Sequence, residues 1–340
     1  MKNSKKTKFL FISITVLLFI MFILDILIGS VSIPFNEFLS ILTGKEGDPK
    51  YSMLITTFRI PKAITALLCG AALSASGLQM QTLFRNPLAG PYILGISSGA
   101  SLGVALFLLG IPAGMTFGSE ILKNLGIAGA AWIGSAAILL IIFAVSLRIK
   151  DIMAILILGM MIGSGATAIV NILQYISTES SLKTFVIWTM GSLGNISTFQ
   201  VKILTACVFL GLGISVSLIK SMNLMLLGEN YARTMGQNIG LVRSGIFIST
   251  TLLAGTVTAF CGPIGFISTA VPHIARMIFS DADHKVLMPA SIILGAIIML
   301  ICDTISQLPG TDMVIPINTV SAFVGIPVVV YVIIRNRKIG

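Results

Sequence analysis

The two histidines and four cysteines of this 340-residue chain are the first residues to consider as metal ligands or nucleophiles. Metal sites built from these residues place their ligands at short spacings, as in a C-x-x-C pair. His273 and His284 are separated by ten residues, and the cysteines occur singly at positions 69, 207, 261 and 302. We therefore expect no metal site, and we find no paired nucleophile and base of the kind that a membrane-embedded enzyme would need.

Two carboxylates inside apolar segments bear on how the protein could use energy. Carriers driven by an ion gradient keep ionisable groups near the middle of the bilayer, where such groups are costly and retained for function. Asp25 and Asp303 instead lie near the ends of their apolar segments. The chain also has no GxxxxGK[ST] phosphate-binding loop, since Gly44-Lys45-Glu46 lacks the upstream glycine and the following Ser or Thr. We expect the energy to come from another polypeptide; an ion-coupled secondary transporter is the alternative.

The composition predicts a membrane protein. Hydrophobic residues make up 56% of the chain and charged residues 10%, whereas soluble domains carry about 25% charged residues. A helix needs about 20 apolar residues to cross a bilayer, which predicts an all-α polytopic fold of about ten transmembrane helices in a single domain over residues 1–340. The predicted spans are 9–29, 62–84, 92–110, 124–147, 152–174, 199–219, 242–262, 264–279, 286–304 and 315–334. The seventh and eighth are uncertain because Gly262-Pro263 and Gly265 interrupt one long apolar run.

The basic residues predict the orientation. We interpret the first apolar segment as a retained helix and not a signal peptide, because its apolar run is long and no small-residue cleavage site follows it. With ten crossings and a cytoplasmic N-terminus, fifteen of the 22 Lys and Arg residues lie on the cytoplasmic side, which satisfies the positive-inside rule. Both termini are then cytoplasmic. The same bias accounts for most of the net charge of +10, so nucleic acid is not an expected partner.

A set of motifs in a fixed order resembles one known family, the FecCD-type permeases of bacterial ABC importers for iron-siderophores, haem and vitamin B12. The resemblance covers nearly the whole chain after the first helix. It rests on Arg59-Ile60-Pro61-Lys62, Gly70-Ala71-Ala72-Leu73, Arg85-Asn86-Pro87-Leu88-Ala89, Gly262-Pro263-Ile264-Gly265-Phe266, Pro272-His273-Ile274-Ala275-Arg276, Asp283-His284-Lys285 and Gly325-Ile326-Pro327.

The resemblance implies the ten-helix bundle of type II importers such as the vitamin B12 permease, in the bacterial inner membrane. It also implies a homodimer, or a heterodimer with a similar permease, that carries an iron chelate (siderophore or haem) or cobalamin. Two ABC ATPase subunits and a periplasmic or lipoprotein substrate-binding protein would be the partners. This chain would bind no cofactor, since ATP and Mg would sit on the ATPase.

The family's docking positions for the binding protein match Arg59, Lys62 and Gln307. Arg59 and Lys62 are three residues apart and share one face of a helix. Gln307 stands where the family has a third arginine, and an amide adds no net charge to docking. The alternative is that Arg59 and Lys62 anchor the helix at the lipid headgroups.

Residues 221–241 resemble the two short helices with which the family seats on its ATPase. The residues that we expect to contact it are Leu227, Gly228, Glu229, Ala232, Arg233, Gly236 and Gly240. We expect Glu229, Arg233 and Arg243 to supply polar contacts, and Gly236 and Gly240 to form the sharp turn. The alternative is an amphipathic cytoplasmic loop.

Two segments are candidates for the pathway. The helix that contains Gly95, Ser97 and Ser98 is rich in glycine and proline and is expected to be partly unwound, which at membrane depth is tolerated only inside protein or along water. Ile152 and Met153 fall where the family has its inner gate and would form an apolar constriction. A plain helix start is the alternative for Ile152 and Met153.

The remaining motif residues are expected to shape the cytoplasmic ends of the helices. Arg85, Asn86 and Pro87 should end the second helix, and the proline should hold Asn86 extended. Pro272, His273 and Arg276 approach the same side. We expect His273 to brace the polar turn at 281–285 rather than to touch substrate.

Overall fold

A computed structural model describes residues 2–29, 31, 33–43, 48–110, 120–146, 148–149, 151–194, 196–307 and 314–336. Gly44-Lys45-Glu46 lies outside the described residues, as does Lys150. The α-helices of the described chain are α1 (Lys2–Leu27), α2 (Phe35–Leu42), α3 (Pro49–Met53), α4 (Ile60–Phe84), α5 (Ile96–Leu108), α6 (Glu120–Ser146), α7 (Ile152–Ile176), α8 (Glu179–Thr189), α9 (Thr198–Ser217), α10 (Ile219–Leu226), α11 (Glu229–Thr234), α12 (Ile239–Thr250), α13 (Thr256–Cys261), α14 (Ile267–Phe279), α15 (His284–Ser306) and α16 (Ile317–Asn336). The described residues contain no β-strand, so the all-helical fold class is confirmed.

Seven helical stretches are long and apolar enough to cross a membrane. They are Lys5–Leu27, Pro49–Phe84, Leu125–Ser146, Ile152–Ile176, Thr198–Ser217, Ile239–Cys261 and His284–Ser306. The other three predicted spans form α5, α14 and α16. Helices α5 and α14 have 13 residues each and fall short of the usual spanning length.

The short length of α5 and α14 follows from breaks in the backbone. Residues 91–94 form a 3-10 turn, and Gly95 takes a left-handed conformation before α5 begins, which confirms the predicted unwinding. Gly262 and Phe266 both have positive φ between α13 and α14. The apolar run at 242–279 is therefore one long helical stretch, with a π-helical turn at 251–255, followed by a separate short helix.

Helix α4 lies at the centre of the bundle and packs on α15. A Cβ atom on Gly70 would overlap the backbone of Gly295, and a Cβ atom on Gly295 would overlap Ser74. Both glycines are therefore needed for the two backbones to come this close, as helices in lipid do where small residues meet.

The bundle has two ends that differ in charge. Phe11 near the start of α1 stacks on Phe279 at the end of α14, with ring centroids 4.7 Å apart. This end also carries the last turn of α4, helices α10 and α11, and the first turn of α15. We call it the basic side, because Arg85, Lys220, Arg233, Arg243 and Lys285 lie there. The other end, where α1 and α15 finish and α4 starts, is called the opposite side.

Candidate functional site

A charged cluster on the opposite side contains all three predicted docking residues. The Lys62 Nζ lies 3.0 Å from Asp303 Oδ1. The Gln307 side-chain amide donates to Asp303 Oδ2 at 3.3 Å. The Thr304 hydroxyl donates to Asp25 Oδ1 at 2.9 Å. The two carboxylates that the sequence places near helix ends are thus held by side chains of α4 and α15, and the cluster joins α1, α4 and α15.

Arg59 belongs to this cluster but is turned back onto the chain. Its Nη1 donates to the carbonyl oxygens of Ile26 at 2.7 Å and Leu27 at 2.9 Å, and its Nη2 donates to the carbonyl of Val31. The last carbonyls of a helix have no intrahelical partner, and a cation at this end also complements the helix dipole. Arg59 therefore caps α1. Only 8% of the residue is exposed, which leaves little of Arg59 to reach either lipid headgroups or a docked protein.

A cavity of about 540 Å³ opens beside the charged cluster. Arg59, Lys62, Asp303 and Gln307 line its polar wall. Its apolar wall comes from the α8 end, the following loop and the start of α16, and includes Ile187, Met190, Leu193, Ile315 and Ile317. The structure therefore brings the three predicted docking residues to one concave surface. Docking of a partner there stays a prediction.

Two short helices separated by glycines form the predicted coupling region on the basic side. Gly228 (φ +122°) lies between α10 and α11, and Gly236 (φ +81°) follows α11. Positive φ is costly for residues with a side chain, so these two glycines permit the turns. The prediction that Gly240 forms part of the sharp turn is wrong, because Gly240 lies inside the first turn of α12, where Asn238 caps the helix by accepting from the Leu241 N–H.

The α10–α11 segment presents apolar side chains outward. Its large exposed residues are Leu226, Leu227, Tyr231, Met235 and, at the start of α12, Leu241. Ala232 is fully buried, so it supports the segment from within. Among the expected polar contacts, Arg233 is exposed, but Glu229 is already paired, since both of its carboxylate oxygens accept from Arg243 Nη2 at 2.7 and 2.9 Å. The polar contacts expected of Glu229 and Arg243 are thus made within the chain.

Hydrogen bonds fasten the α10–α11 segment to the membrane helices. Arg85, left-handed at φ 47° after α4, donates from Nη2 to the Met225 carbonyl at 3.2 Å. Asn223 donates to Asp283 at 2.6 Å and accepts from the backbone N–H of His284 at 2.9 Å. The Lys285 backbone N–H and then Asn223 hold the pKa of Asp283 below its usual value. Helix α10 is therefore hydrogen-bonded both to the end of α4 and to the start of α15.

His273 contacts a different loop from the one predicted. Its Nε2 lies 2.7 Å from the Pro87 carbonyl oxygen, so it braces the Arg85-Asn86-Pro87 loop, and the expectation that it braces residues 281–285 is wrong. That turn is joined to α10 through its own His284, whose Nδ1 lies 2.7 Å from Asn223 Oδ1. Asn86 shapes its own loop by accepting from the Leu88 N–H at 2.9 Å. Pro272 is buried within α14.

The predicted pathway residues of α5 lie against α7. Gly95 is close enough that an added Cβ would lie 3.2 Å from the Gly159 carbonyl oxygen. Ser97 and Ser98 are half-buried, and the Thr167 hydroxyl of α7 lies 3.5 Å from that of Ser98. At the start of α7, Asp151 caps the helix by accepting from the Met153 N–H at 2.9 Å. Met153 is exposed and Ile152 is half-buried, and their role as a gate stays a prediction.

A polar face on α7 is the feature that sequence reasoning missed. Ser164, Thr167 and Asn171 are all exposed, and their spacing of three and four residues puts them on one face of the helix. They line a groove of about 500 Å³ together with Tyr92 and Ser98. The Ser164 and Thr167 hydroxyls donate to the Met160 and Gly163 carbonyls of the same helix at 2.9 Å, and the Asn171 amide adds a larger polar group to the groove. The regular spacing within an apolar helix was the signal that could have revealed this face.

The fold and these sites define a class of protein. The described residues form a helical bundle with seven stretches that are long and apolar enough to cross a membrane, and a groove lined by polar side chains of α7, an arrangement that fits a transport permease. The comparisons with known proteins agree: residues 17–335 match the FecCD transport family. The chain belongs to this family, and it is a permease component of an ABC transporter.

Individual relatives cover most of the chain. The vitamin B12 import system permease BtuC of Klebsiella pneumoniae is 31% identical over 340 residues, which cover 100% of this chain and 97% of the relative. The hemin transport system permease HmuU of Yersinia pestis is 34% identical over 284 residues, 82% of this chain and 83% of the relative. A solved structure described as an inward-facing metal-chelate type ABC transporter superposes with a TM-score of 0.82 at 30% identity, covering 96% of this chain and 99% of that one.

Proposed function

We propose that this permease imports a bulky metal chelate, namely a ferric siderophore, haem or cobalamin, and that a separate ATPase drives the transport. The relatives named for vitamin B12 and hemin support this class of cargo, as does the metal-chelate transporter of similar structure. ATP and Mg would be bound by the ATPase, and this chain would hold no cofactor of its own.

The α10–α11 segment carries the proposal. It presents an apolar surface of Leu226, Leu227, Tyr231 and Met235 at the basic side, while Arg85 and Asn223 tie it to α4 and α15. A mobile loop could not transmit force, but a segment tied to two membrane helices can. We infer that each permease of the assembled transporter binds one ATPase subunit through this surface, so that the transporter holds two. Arg233 adds a charged contact at the edge of the surface.

The orientation follows from this assignment. The basic side faces the cytoplasm, where the excess of Lys and Arg agrees with the positive-inside rule, and both termini lie there. The charged cluster and its cavity then face the periplasm or cell exterior. A substrate-binding protein would dock on that side, and its acidic side chains would reach Lys62 in the cavity of about 540 Å³.

The α7 polar face points to the translocation pathway. From Ile152 to Ile176 the helix contains no ionisable acid, lysine, arginine or histidine, so the exposed hydroxyl and amide groups of Ser164, Thr167 and Asn171 make weak, exchangeable contacts. Conduction needs contacts weak enough for the cargo to leave. We infer that a second permease copy, either identical or similar, supplies the facing wall, and that Met153 lies at the cytoplasmic mouth of the path.

Transport in proteoliposomes tests the proposal. The permease, purified with its ATPase subunits and supplied with a binding protein and internal ATP, is offered labelled haem, ferric siderophore and cobalamin in parallel. We expect ATP-dependent accumulation of one of them, and none with a non-hydrolysable ATP analogue. Accumulation that needs an ion gradient and no ATP would refute the proposal in favour of a secondary carrier.

A further inference from the structure

A second cavity, on the basic side, is lined by an arginine that forms no ion pair with the described residues. It measures about 440 Å³ and lies between the ends of α4, α14 and α16. Arg276 lines it together with Gln81, His273, Ser280 and Tyr331. We call it the Arg276 pocket. The transport proposal makes no use of it.

The hydrogen bonds of Arg276 leave most of its donors unused. A guanidinium carries five N–H donors, and within the described chain Arg276 makes one side-chain hydrogen bond, from Nη1 to Gln81 Oε1 at 2.6 Å. The Gln81 amide is fixed in turn by donating to the Thr269 carbonyl at 3.1 Å. The guanidinium is therefore held in place by a neutral partner, with donors left for a ligand.

No acid neutralises Arg276 within the described residues. The ion pairs of that part of the chain join Lys62 with Asp303 and Arg243 with Glu229. Asp281 and Asp283, which follow α14, are engaged elsewhere: Asp281 accepts from the Asp283 N–H, and Asp283 accepts from the Lys285 N–H and from the Asn223 side chain. The surroundings of the pocket thus favour an anion.

The position of the pocket indicates which anion. Gln81 lies in the last turn of α4 and Ser280 caps the end of α14, so the pocket sits where membrane helices end and lipid headgroups begin. Met277 and Tyr331 at its rim are 45% and 49% exposed and offer an apolar surface beside the charge. A planar guanidinium suits a phosphate because two N–H groups can bind two oxygens.

We propose that the Arg276 pocket binds the phosphate of an anionic phospholipid headgroup on the basic side of the membrane. Arg276 binds the phosphate oxygens, the Ser280 hydroxyl lies at the mouth of the site, and the glycerol and first acyl carbons pass over Met277 and Tyr331. The lipid would fill the space between α14 and α16 and would stabilise the ends of both helices.

Lipid binding to the full-length permease, purified with its ATPase subunits in detergent, tests this site. The probes are dioleoylphosphatidylglycerol and dioleoylphosphatidylcholine, added in mixed micelles and counted by native mass spectrometry. We expect phosphatidylglycerol to bind the wild type, and Arg276→Gln to weaken it about tenfold or more, since hydrogen bonds to charged groups are lost. The matched control is Lys285→Gln, which removes an exposed charge from the same side and should change binding less than twofold.

Three results would overturn the proposal. The first is equal phosphatidylglycerol affinity in the wild type and Arg276→Gln. The second is equal affinity of the wild type for phosphatidylcholine, whose choline cancels the net charge. The third is displacement of the lipid by millimolar inorganic phosphate, which would make a soluble anion the ligand. If Arg276→Gln does not fold, Arg276→Lys and the two wild-type comparisons still decide the matter, and none of these readouts depends on transport.

Discussion

Lys62 is expected to stabilise the fold, whether or not it also docks a partner. Its side chain is 19% exposed and its partner Asp303 is 2% exposed, with the charged atoms 3.0 Å apart. Breaking a buried ion pair by removing one partner costs about 3–5 kcal/mol, because the other charge is left buried and unpaired. The partial exposure of Lys62 lets water reach the site, and Gln307 still donates to Asp303. We therefore expect Lys62→Met to lower the free energy of unfolding by about 3 kcal/mol, the low end of this range.

A double-mutant cycle separates this structural role from docking. Replacing both charges, in Lys62→Met with Asp303→Leu, removes the unpaired carboxylate and should recover most of the lost stability. Lys183→Met, an exposed lysine of α8 on the same side, is the matched control and should change stability by less than about 0.5 kcal/mol. Unfolding would be followed by circular dichroism in mixed micelles with increasing sodium dodecyl sulfate. Unchanged stability in Lys62→Met would refute the reasoning. A double variant that is no more stable than Lys62→Met would show that Lys62 does not stabilise the fold through its ion pair with Asp303.

Three further predictions concern the coupling segment, the core and the pathway. Gly236→Ala should lower the free energy of unfolding by about 1–2 kcal/mol, because a φ of +81° is unfavourable for a residue with a side chain, although nothing lies within 4 Å of the new Cβ. The control is Gly213→Ala, which has equal room and no positive φ. Equal effects of the two substitutions in chemical unfolding would contradict the positive-φ turn at Gly236. Gly295→Leu should prevent folding, since even a Cβ there overlaps Ser74 and the Gly70 backbone; a monodisperse gel-filtration peak at wild-type yield would contradict the α4–α15 contact. Thr167→Cys should react with a membrane-impermeant maleimide in the assembled transporter, while Ile133→Cys on exposed α6 should not, and labelling of both or neither would argue against a water-filled path along α7.

The motif residues show how far sequence reasoning could go. Arg59 was correctly placed at the start of a long apolar helix, but its partners are backbone carbonyls of α1, about thirty positions earlier. No local pattern marks a carbonyl that lies at the end of another helix. The two histidines illustrate the same limit, since His273 reaches the Pro87 carbonyl and His284 reaches Asn223. Their positions in the sequence predict the side of the bundle on which they lie. The residue that each one contacts depends on how the helices pack.

The turns show a second limit. The glycines at 228, 236 and 240 all lie in a polar stretch that interrupts the apolar pattern. The sequence predicted the sharp turn at Gly236 and Gly240, whereas the glycines with positive φ are Gly228 and Gly236. Gly240 enters α12 because Asn238 provides the helix cap two residues before it. Either a capping residue or a turn glycine could mark the start of α12. The hydrogen bond that the Asn238 side chain accepts places the start of the helix directly after Asn238.

The sequence alone was sufficient to predict a helical membrane protein, its apolar segments and its basic side. The evidence was the hydrophobic composition, the length of the apolar runs and the distribution of Lys and Arg. These features suffice because burial in lipid acts on each segment separately. The order of the motifs was sufficient to indicate the family. The pairing of Lys62 with Asp303, the capping of α1 by Arg59, the polar face of α7 beside Ser98 and the pocket around Arg276 each join residues far apart in the chain. Those contacts depend on how the helices rotate and approach one another, and the close approach at Gly70 and Gly295 is decided by three-dimensional packing.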